Sequence, residues 1–285
     1  MTMKKHKILD VGLFHRKKSM RLIVVPLSLK ESMVYCQKTT LPLARAKPRI
    51  DDRMAIKANK VWTEWSKSDV TWKRSIVDWA NKAMQRISYD EWSLKTIPAK
   101  TAVMRRTAND THVTVEEIKR DQLAPKDMEL ISVEYAGKFV SQDAIINRLS
   151  VLTDRGLSHH KRFFWFSAIG APLTLPVAAL PVIPNIPGFY LMFRAWSHWK
   201  AFEGAKHLQY LLTDNHLSLE SNAILNEACK GFQAIDPKSP DKDLLILDHE
   251  HIDDLAEKLG AKEMGPELHR AVHQVKKHID AQAKL

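Results

Sequence analysis

The chain has 285 residues, enough for one large or two ordinary domains with a real core, and its composition of 45% hydrophobic and 27% charged residues is ordinary. Its two cysteines, Cys36 and Cys229, lie far apart and form no CxxC pair, which excludes a disulfide-dense secreted scaffold and a cysteine zinc site. The net charge of +11 is confined to residues 1–60, with 15 Lys/Arg against 4 Asp/Glu, and beyond them 29 of each sign balance; a basic head before a neutral body argues against a nucleic-acid-binding domain.

The first 21 residues hold Lys4, Lys5, Lys7, Arg16, Lys17, Lys18 and Arg21 against one acid, Asp10. Basic and nearly acid-free is the pattern of a mitochondrial targeting segment, without the usual serine enrichment; a solvated basic tail is the alternative, and no secretory signal follows. "RLIVVPL" (Arg21 to Leu27) predicts a β-branched strand whose Pro26 argues for a sheet edge or a strand end. Trp65, Trp72 and Trp79 recur every seven residues and predict an amphipathic helix from about Val61 to Ile87, packing a core or lying on a membrane surface. It ends at a polar corner, Tyr89, Asp90, Glu91 and Trp92, ahead of Pro98. "TAVMRR" is a second strand candidate, and "VTVEEIKRD" has capping-box spacing from Thr114 to Glu117. Helix is expected again from Asp143 to Thr153.

From Phe163 to Phe193, 31 residues, there is no Asp, Glu, Lys, Arg or His. That exceeds the roughly 20 residues that signal a membrane span. One straight helix of that length would overshoot the bilayer, and two full spans would need more residues. Pro172 and Pro176 are expected to kink a first leg, and Pro181, Pro184 and Pro187 with Gly188 to stop it and turn the chain. A second leg then starts at Phe189. The flanks are basic on both sides: His159, His160, Lys161 and Arg162 before the run, Arg194, His198, Lys200 and Lys206 after it. Positive charge at both ends favours both on one side of the membrane, hence a re-entrant hairpin over a single crossing.

Downstream, helix is expected over Arg194–Leu212 and around Leu217–Phe232, then a linker from Ile235 to Asp243. Two C-terminal helices follow, with Asp248 as a cap and Pro266 in a first helical position. Asp248, His249, Glu250 and His251, and the pair His269 and His273, invite a metal reading. The pair lacks the glutamate of HExxH, so exposed helix histidines are the expectation. No P-loop, GxGxxG, G-x-S-x-G or kinase set is present, and no enzyme activity, cofactor or metal is expected.

Three stretches, "RLIVVPL", "ISYDEWSLKTIP" and above all His159 to Leu208 with "IPNIPGFY" and "RAWSHW", make the chain resemble the mitochondrial K+/H+ exchange-related family. The resemblance covers about Met20 to Leu212. It implies an inner-membrane mitochondrial protein needed for K+/H+ exchange and ion and volume homeostasis, with most of the chain in the matrix. The expected fold is mainly α with a small β element (α+β) carrying a membrane-embedded, proline-broken hairpin. Four regions are expected: 1–20 basic and targeting, 21–158 soluble α+β, 159–212 hairpin and following helix, 213–285 helical. The hairpin turn is Pro181, Pro184, Asn185, Pro187 and Gly188, and the basic flanks are Lys161, Arg162, Arg194 and Lys200. In one mechanism an oligomer forms the ion path, with Thr174 and Asn185 contacting K+ and His160 and His198 taking up H+ at the mouth. In the other, favoured because a lone hairpin encloses no pore, the chain is an essential or regulatory subunit of an exchanger complex. Membrane lipid is the expected partner and nucleic acid is not. A membrane-anchored scaffold or lipid-binding protein without transport is the alternative.

Overall fold

The computed structural model describes residues 20–38, 60, 63–100, 130–178, 186–230 and 243–282. Four strands form one mixed sheet: β1 (Met20–Pro26), β2 (Ser32–Lys38), β3 (Ile131–Tyr135) and β4 (Leu217–Ser221), in the order β2-β1-β3-β4. β1 pairs antiparallel with β2, and parallel pairs join β1 to β3 and β3 to β4. Pro26 closes β1, as a residue without an N–H must, yet β1 lies inside the sheet and not at its edge. The first strand was legible in its apolar run; β2, β3 and β4 were not.

Helices follow the capping chemistry of their sequences. α1 (Thr71–Gln85) is shorter than the tryptophan spacing predicts. A separate helical turn at 63–66 is broken by serines that bond locally, Ser66 Oγ to the Thr63 carbonyl at 2.9 Å and the Val70 N–H to Ser68 Oγ at 3.3 Å. α2 (Tyr89–Thr96) is capped by Ser88 and ends where Ile97, extended ahead of Pro98, cannot continue it. α3 (Gln142–Leu173) is capped by Ser141, runs through Pro172 and is followed by α4 (Leu175–Ala178). α5 spans Ile186–Thr213. Pro187 and Gly188 therefore belong to the first turn of α5, where proline is tolerated, and not to the connection expected of them. Pro181, Pro184 and Asn185 lie outside the described residues, as do "TAVMRR", "VTVEEIKRD", residues 1–19 and most of the Ile235–Asp243 linker.

The helix expected at Leu217–Phe232 is instead β4 followed by α6 (Ala223–Ala228). Asn215 turns the chain with φ 52°, and Asn222 caps α6 by accepting from the N–H groups of Ile224 and Leu225. A 3-10 turn capped by Asp248 leads to α7 (Ile252–Lys258), and α8 (Gly265–Gln282) has Pro266 in its first turn.

The period-2 alternation of β1 sorts two cores onto the two faces of the sheet. Leu22 and Val24, with Val34, Cys36 and Val133, pack under Leu149, Leu152, Ala205 and Leu208 of α3 and α5. Ile23 and Val25, with Met33 and Tyr35, pack under Leu255, Met264, Leu268 and Val272 of the C-terminal helices. The result is mainly helical with a small mixed sheet: hairpin on one face, C-terminal helices on the other. β3 runs into α3, and α5 returns directly into β4, so the two legs rise from adjacent strands.

Among the described residues, no helix is long and apolar enough to cross a membrane. The apolar part of α3, Phe163 to Leu173, follows two turns rich in His, Lys and Arg.

Candidate functional site

α2 is seated by two missing side chains. A Cβ on Gly156 of α3 would lie 2.5 Å from Leu94 Cδ1, and one on Gly204 of α5 would press into the Leu94 carbonyl. With both positions bare, α2 drops into the notch between the legs, and Leu94 and Ile97 bury against them.

Each side chain of the Tyr89–Trp92 corner is then tied to a different element. The Tyr89 hydroxyl donates to Glu31. Asp90 pairs with Arg148 of α3 at 2.9 Å, whose guanidinium also donates to the Ser32 carbonyl at 2.8 Å. Trp92 stacks on Tyr35 of β2 with centroids 5.6 Å apart. Gln274 of α8 clips the preceding junction, accepting from the Tyr89 N–H at 3.2 Å and donating to the Ile87 carbonyl at 2.9 Å.

Glu91 points the other way, into the hairpin. Arg194 of α5 meets its carboxylate at two points, Nη1 to Oε1 at 2.8 Å and Nη2 to Oε2 at 2.9 Å. Ser197 donates to Oε1 at 2.7 Å, and Lys95 donates to Ser197 at 3.0 Å. The same Arg194 Nη2 lies 2.9 Å from His198 Nε2, and His198 Nδ1 lies 2.9 Å from His160 Nδ1 on α3. Glu91, Ser197, His198 and His160 are all buried. The result is one continuous polar chain through the interface of α2, α3 and α5.

Its electrostatics follow from burial. Desolvation pushes the Glu91 carboxyl up, but the hydrogen bonds and charge of Arg194, with Ser197, outweigh it and hold the group at about 2. Burial pushes His160 down to about 3, against the pull of Glu91. Burial and then Arg194 push His198 down to about 4. Lys95 is also lowered, chiefly by burial. At neutral pH the site holds an ionised carboxylate, a guanidinium and two uncharged imidazoles.

Glu91, His160 and His198 bring possible ligand atoms within 4.8 Å of one another, but they do not fit a metal. The His160 and His198 centroids are 5.2 Å apart, longer than the 2.9 Å between Nδ1 atoms by about one ring width, so these lone-pair axes face each other and not a common point. The guanidinium already occupies the carboxylate.

The remaining expected residues separate cleanly. His160 and His198 sit together but inside the fold, 4% and 2% exposed, in place of a solvent-facing mouth. Arg194, expected as an outward basic flank, turns inward to Glu91. Lys161 and Arg162 are exposed; Arg162 lies over the Phe166 ring at 5.4 Å, and Lys200 lies 5.8 Å and 5.5 Å from the rings of Trp196 and Trp199. The Thr174 hydroxyl donates to the Ala171 carbonyl at 2.6 Å, at the end of α3. Ser197 and Lys95 entered the sequence reading only within "RAWSHW" and "ISYDEWSLKTIP", with no role assigned; the spacing of Arg194, Ser197 and His198 at i, i+3 and i+4 was the available signal. His249 and His269 meet at 3.1 Å between Nδ1 atoms, and His269 Nε2 lies 3.2 Å from Asp253.

Beyond this chain of polar groups the hairpin turns apolar outward. Trp165, Phe166, Ile169 and Leu173 on α3 are at least 57% exposed, and Phe189, Met192, Trp196 and Trp199 on α5 at least 42%. Trp79 of α1 packs edge-on against Tyr190, centroids 5.3 Å apart, which brings α1 alongside this surface.

The model of a family described as mitochondrial K+-H+ exchange-related matches residues 21–212, the span that contains the sheet's first three strands, the Glu91 chain and the whole hairpin. A Saccharomyces cerevisiae protein described as uncharacterized is 31% identical over 216 residues, covering 72% of this chain and 66% of its own length, just under two thirds. A Schizosaccharomyces pombe protein, also described as uncharacterized, is 27% identical over 216 residues, covering 75% of this chain and 84% of its own. No solved structure matches.

Proposed function

The chain belongs to the mitochondrial K+-H+ exchange-related family, and on that premise we propose that it serves this exchange at the inner mitochondrial membrane as an essential or regulatory subunit, anchored by a hairpin that dips into one leaflet. The observation that carries the reading is the outer end of α3 and α5, where large apolar and aromatic side chains face outward beside the cations Lys161, Arg162 and Lys200. Exposed apolar surface of this extent calls for a partner or a lipid phase, and cations and tryptophans at its border suit a headgroup layer.

Length supports a dip over a crossing. Phe163 to Leu173 rises about 16 Å at about 1.5 Å per residue, roughly half of a hydrocarbon core about 30 Å thick. Basic residues border both legs, which favours both ends on the matrix side. The apolar run carries no Asp, Glu, Lys, Arg or His, the usual marks of a proton relay, so the run by itself does not make a carrier. Its ionisable groups stand just outside it, in the Glu91 chain, which joins the sheet domain to the legs.

The test combines two preparations. Organelles lacking the protein should lose K+-dependent proton flux, while the purified protein in K+-loaded liposomes should give none. Flux from the purified protein alone would overturn the subunit reading in favour of a carrier. Retention of exchange in the depleted organelles would leave a membrane-anchored scaffold or lipid-binding protein. Release from membranes by a carbonate wash would overturn the leaflet anchor.

A further inference from the structure

The hydrogen bonds around His198 fix where its proton is. Arginine only donates, so the Arg194 contact at 2.9 Å requires an unprotonated Nε2 on His198. A neutral His198 therefore carries its hydrogen on Nδ1 and donates it to His160 Nδ1 at 2.9 Å. His160 must then be protonated on Nε2. Both rings are neutral, with opposite tautomers, and the nitrogens facing each other share one hydrogen.

In this arrangement no nitrogen is free for a second proton. A proton added at His198 Nε2 expels the Arg194 N–H, and one added at His160 Nδ1 expels the His198 N–H. Around the pair stand Glu91 and Lys95 from α2, His159 from α3 and Arg194 from α5. Only Glu91 favours the added charge, and its carboxylate is already committed to Arg194 and Ser197. We propose that the His160–His198 pair is a proton-loading site, and that loading it displaces Arg194 from His198 and frees α2 from the notch between the hairpin legs. Resting on the exchange reading for its physiological meaning, the device would let protons from the aqueous side set how firmly the sheet domain grips the membrane hairpin.

The direction of coupling follows by linkage. The closed site takes up a proton on His198 only near pH 4, whereas a freed histidine does so near 6.5. Below pH 6.5, the open form should gain about tenfold over the closed form per pH unit for each proton it binds. The full chain, 15N-labelled and held in lipid nanodiscs, tests this without any transport measurement. Imidazole nitrogen correlations at pH 7 should show two neutral rings, His198 protonated on Nδ1 and His160 on Nε2. Hydrogen exchange of the α2 amides, corrected for its intrinsic pH dependence, should quicken between pH 6.5 and 5. His198→Gln keeps an acceptor for Arg194 and a donor for His160 but cannot titrate, and should remove the His198 share of that response while leaving the His160 share. A charged ring at pH 7, a His198 proton on Nε2, or an unchanged response in His198→Gln would each overturn the proposal. Retention of exchange in organelles lacking the protein would overturn only the transport reading.

Discussion

Glu91 and Arg194 stand 103 residues apart in sequence and close a two-point ion pair inside the fold, with the carboxylate side chain 5% exposed and the guanidinium 15%. Removing one member of such a pair strands the other charge away from water. Arg194→Ala should cost about 3 kcal/mol of stability, while the double variant Glu91→Gln, Arg194→Ala should recover part of that loss. Chemical denaturation of the single and double variants in the same detergent measures both. Equal losses in the two would refute the pairing as the source.

Acid should destabilise the fold from near-neutral pH downward. His160, at about 3, and His198, at about 4, both lie below the ordinary 6.5, so the unfolded chain binds these protons first. Stability is then flat above pH 6.5, falls as pH drops from there, and levels for these groups once the folded histidines also protonate. Glu91, at about 2 against an ordinary 4.5, extends the fall between 4.5 and about 2. Melting temperature against pH is the measurement, and a maximum at pH 5 would contradict the assignment.

Gly204→Ala should undock α2, because its new methyl meets the Leu94 backbone carbonyl, which cannot swing aside. Gly170→Ala in α3 meets only the Leu191 side chain, Cδ1 at 3.3 Å and Cδ2 at 3.9 Å, and should be mild. A loss of at least about 2 kcal/mol for the first and under about 1 for the second is expected from overpacking costs. The comparison is read by denaturant midpoint.

The outer surface of the hairpin should matter for lipid and not for folding. Trp165→Ser, Phe166→Ser and Ile169→Ser together remove apolar groups 57%, 59% and 60% exposed, so the folded state loses little packing. Flotation with anionic phospholipid vesicles should weaken by at least about tenfold, at roughly 25 cal/mol per Å² of apolar area withdrawn from lipid. Unchanged flotation would point to a protein partner for this surface.

Both thiols should be silent in the native protein. Burial pushes Cys36 up to about 12 and Cys229 up to about 11, so almost no thiolate exists at pH 8. Maleimide labelling should be negligible until denaturant is added, then reach both cysteines.

The prolines of the long apolar run announced a break between two helices, and the β-branched "RLIVVPL" announced β1, because each signal is local. β2 and β4 gave no such signal. "LSLES" lies between helix-prone segments and becomes a strand only because β3 offers it an edge in register, Ile131 opposite Leu217 to Tyr135 opposite Ser221. The Tyr89–Trp92 stretch was visible as a polar corner, but its bonds run to Glu31, Arg148, Arg194 and Tyr35, partners that only the tertiary fold selects. His160 and His198 were read as surface titrators from their place beside basic residues. Helical phase turns them inward while Lys161 and Trp199 next to them face out.

β3 and β4 are hydrogen-bonded neighbours, and each continues into one leg of the hairpin. The inner half of α3 packs on the sheet through Ile145, Leu149 and Leu152, so the legs are clamped at their base to a pair of strands that cannot slide without breaking their ladder. A displacement of their outer ends is therefore resisted by the sheet contacts at their base.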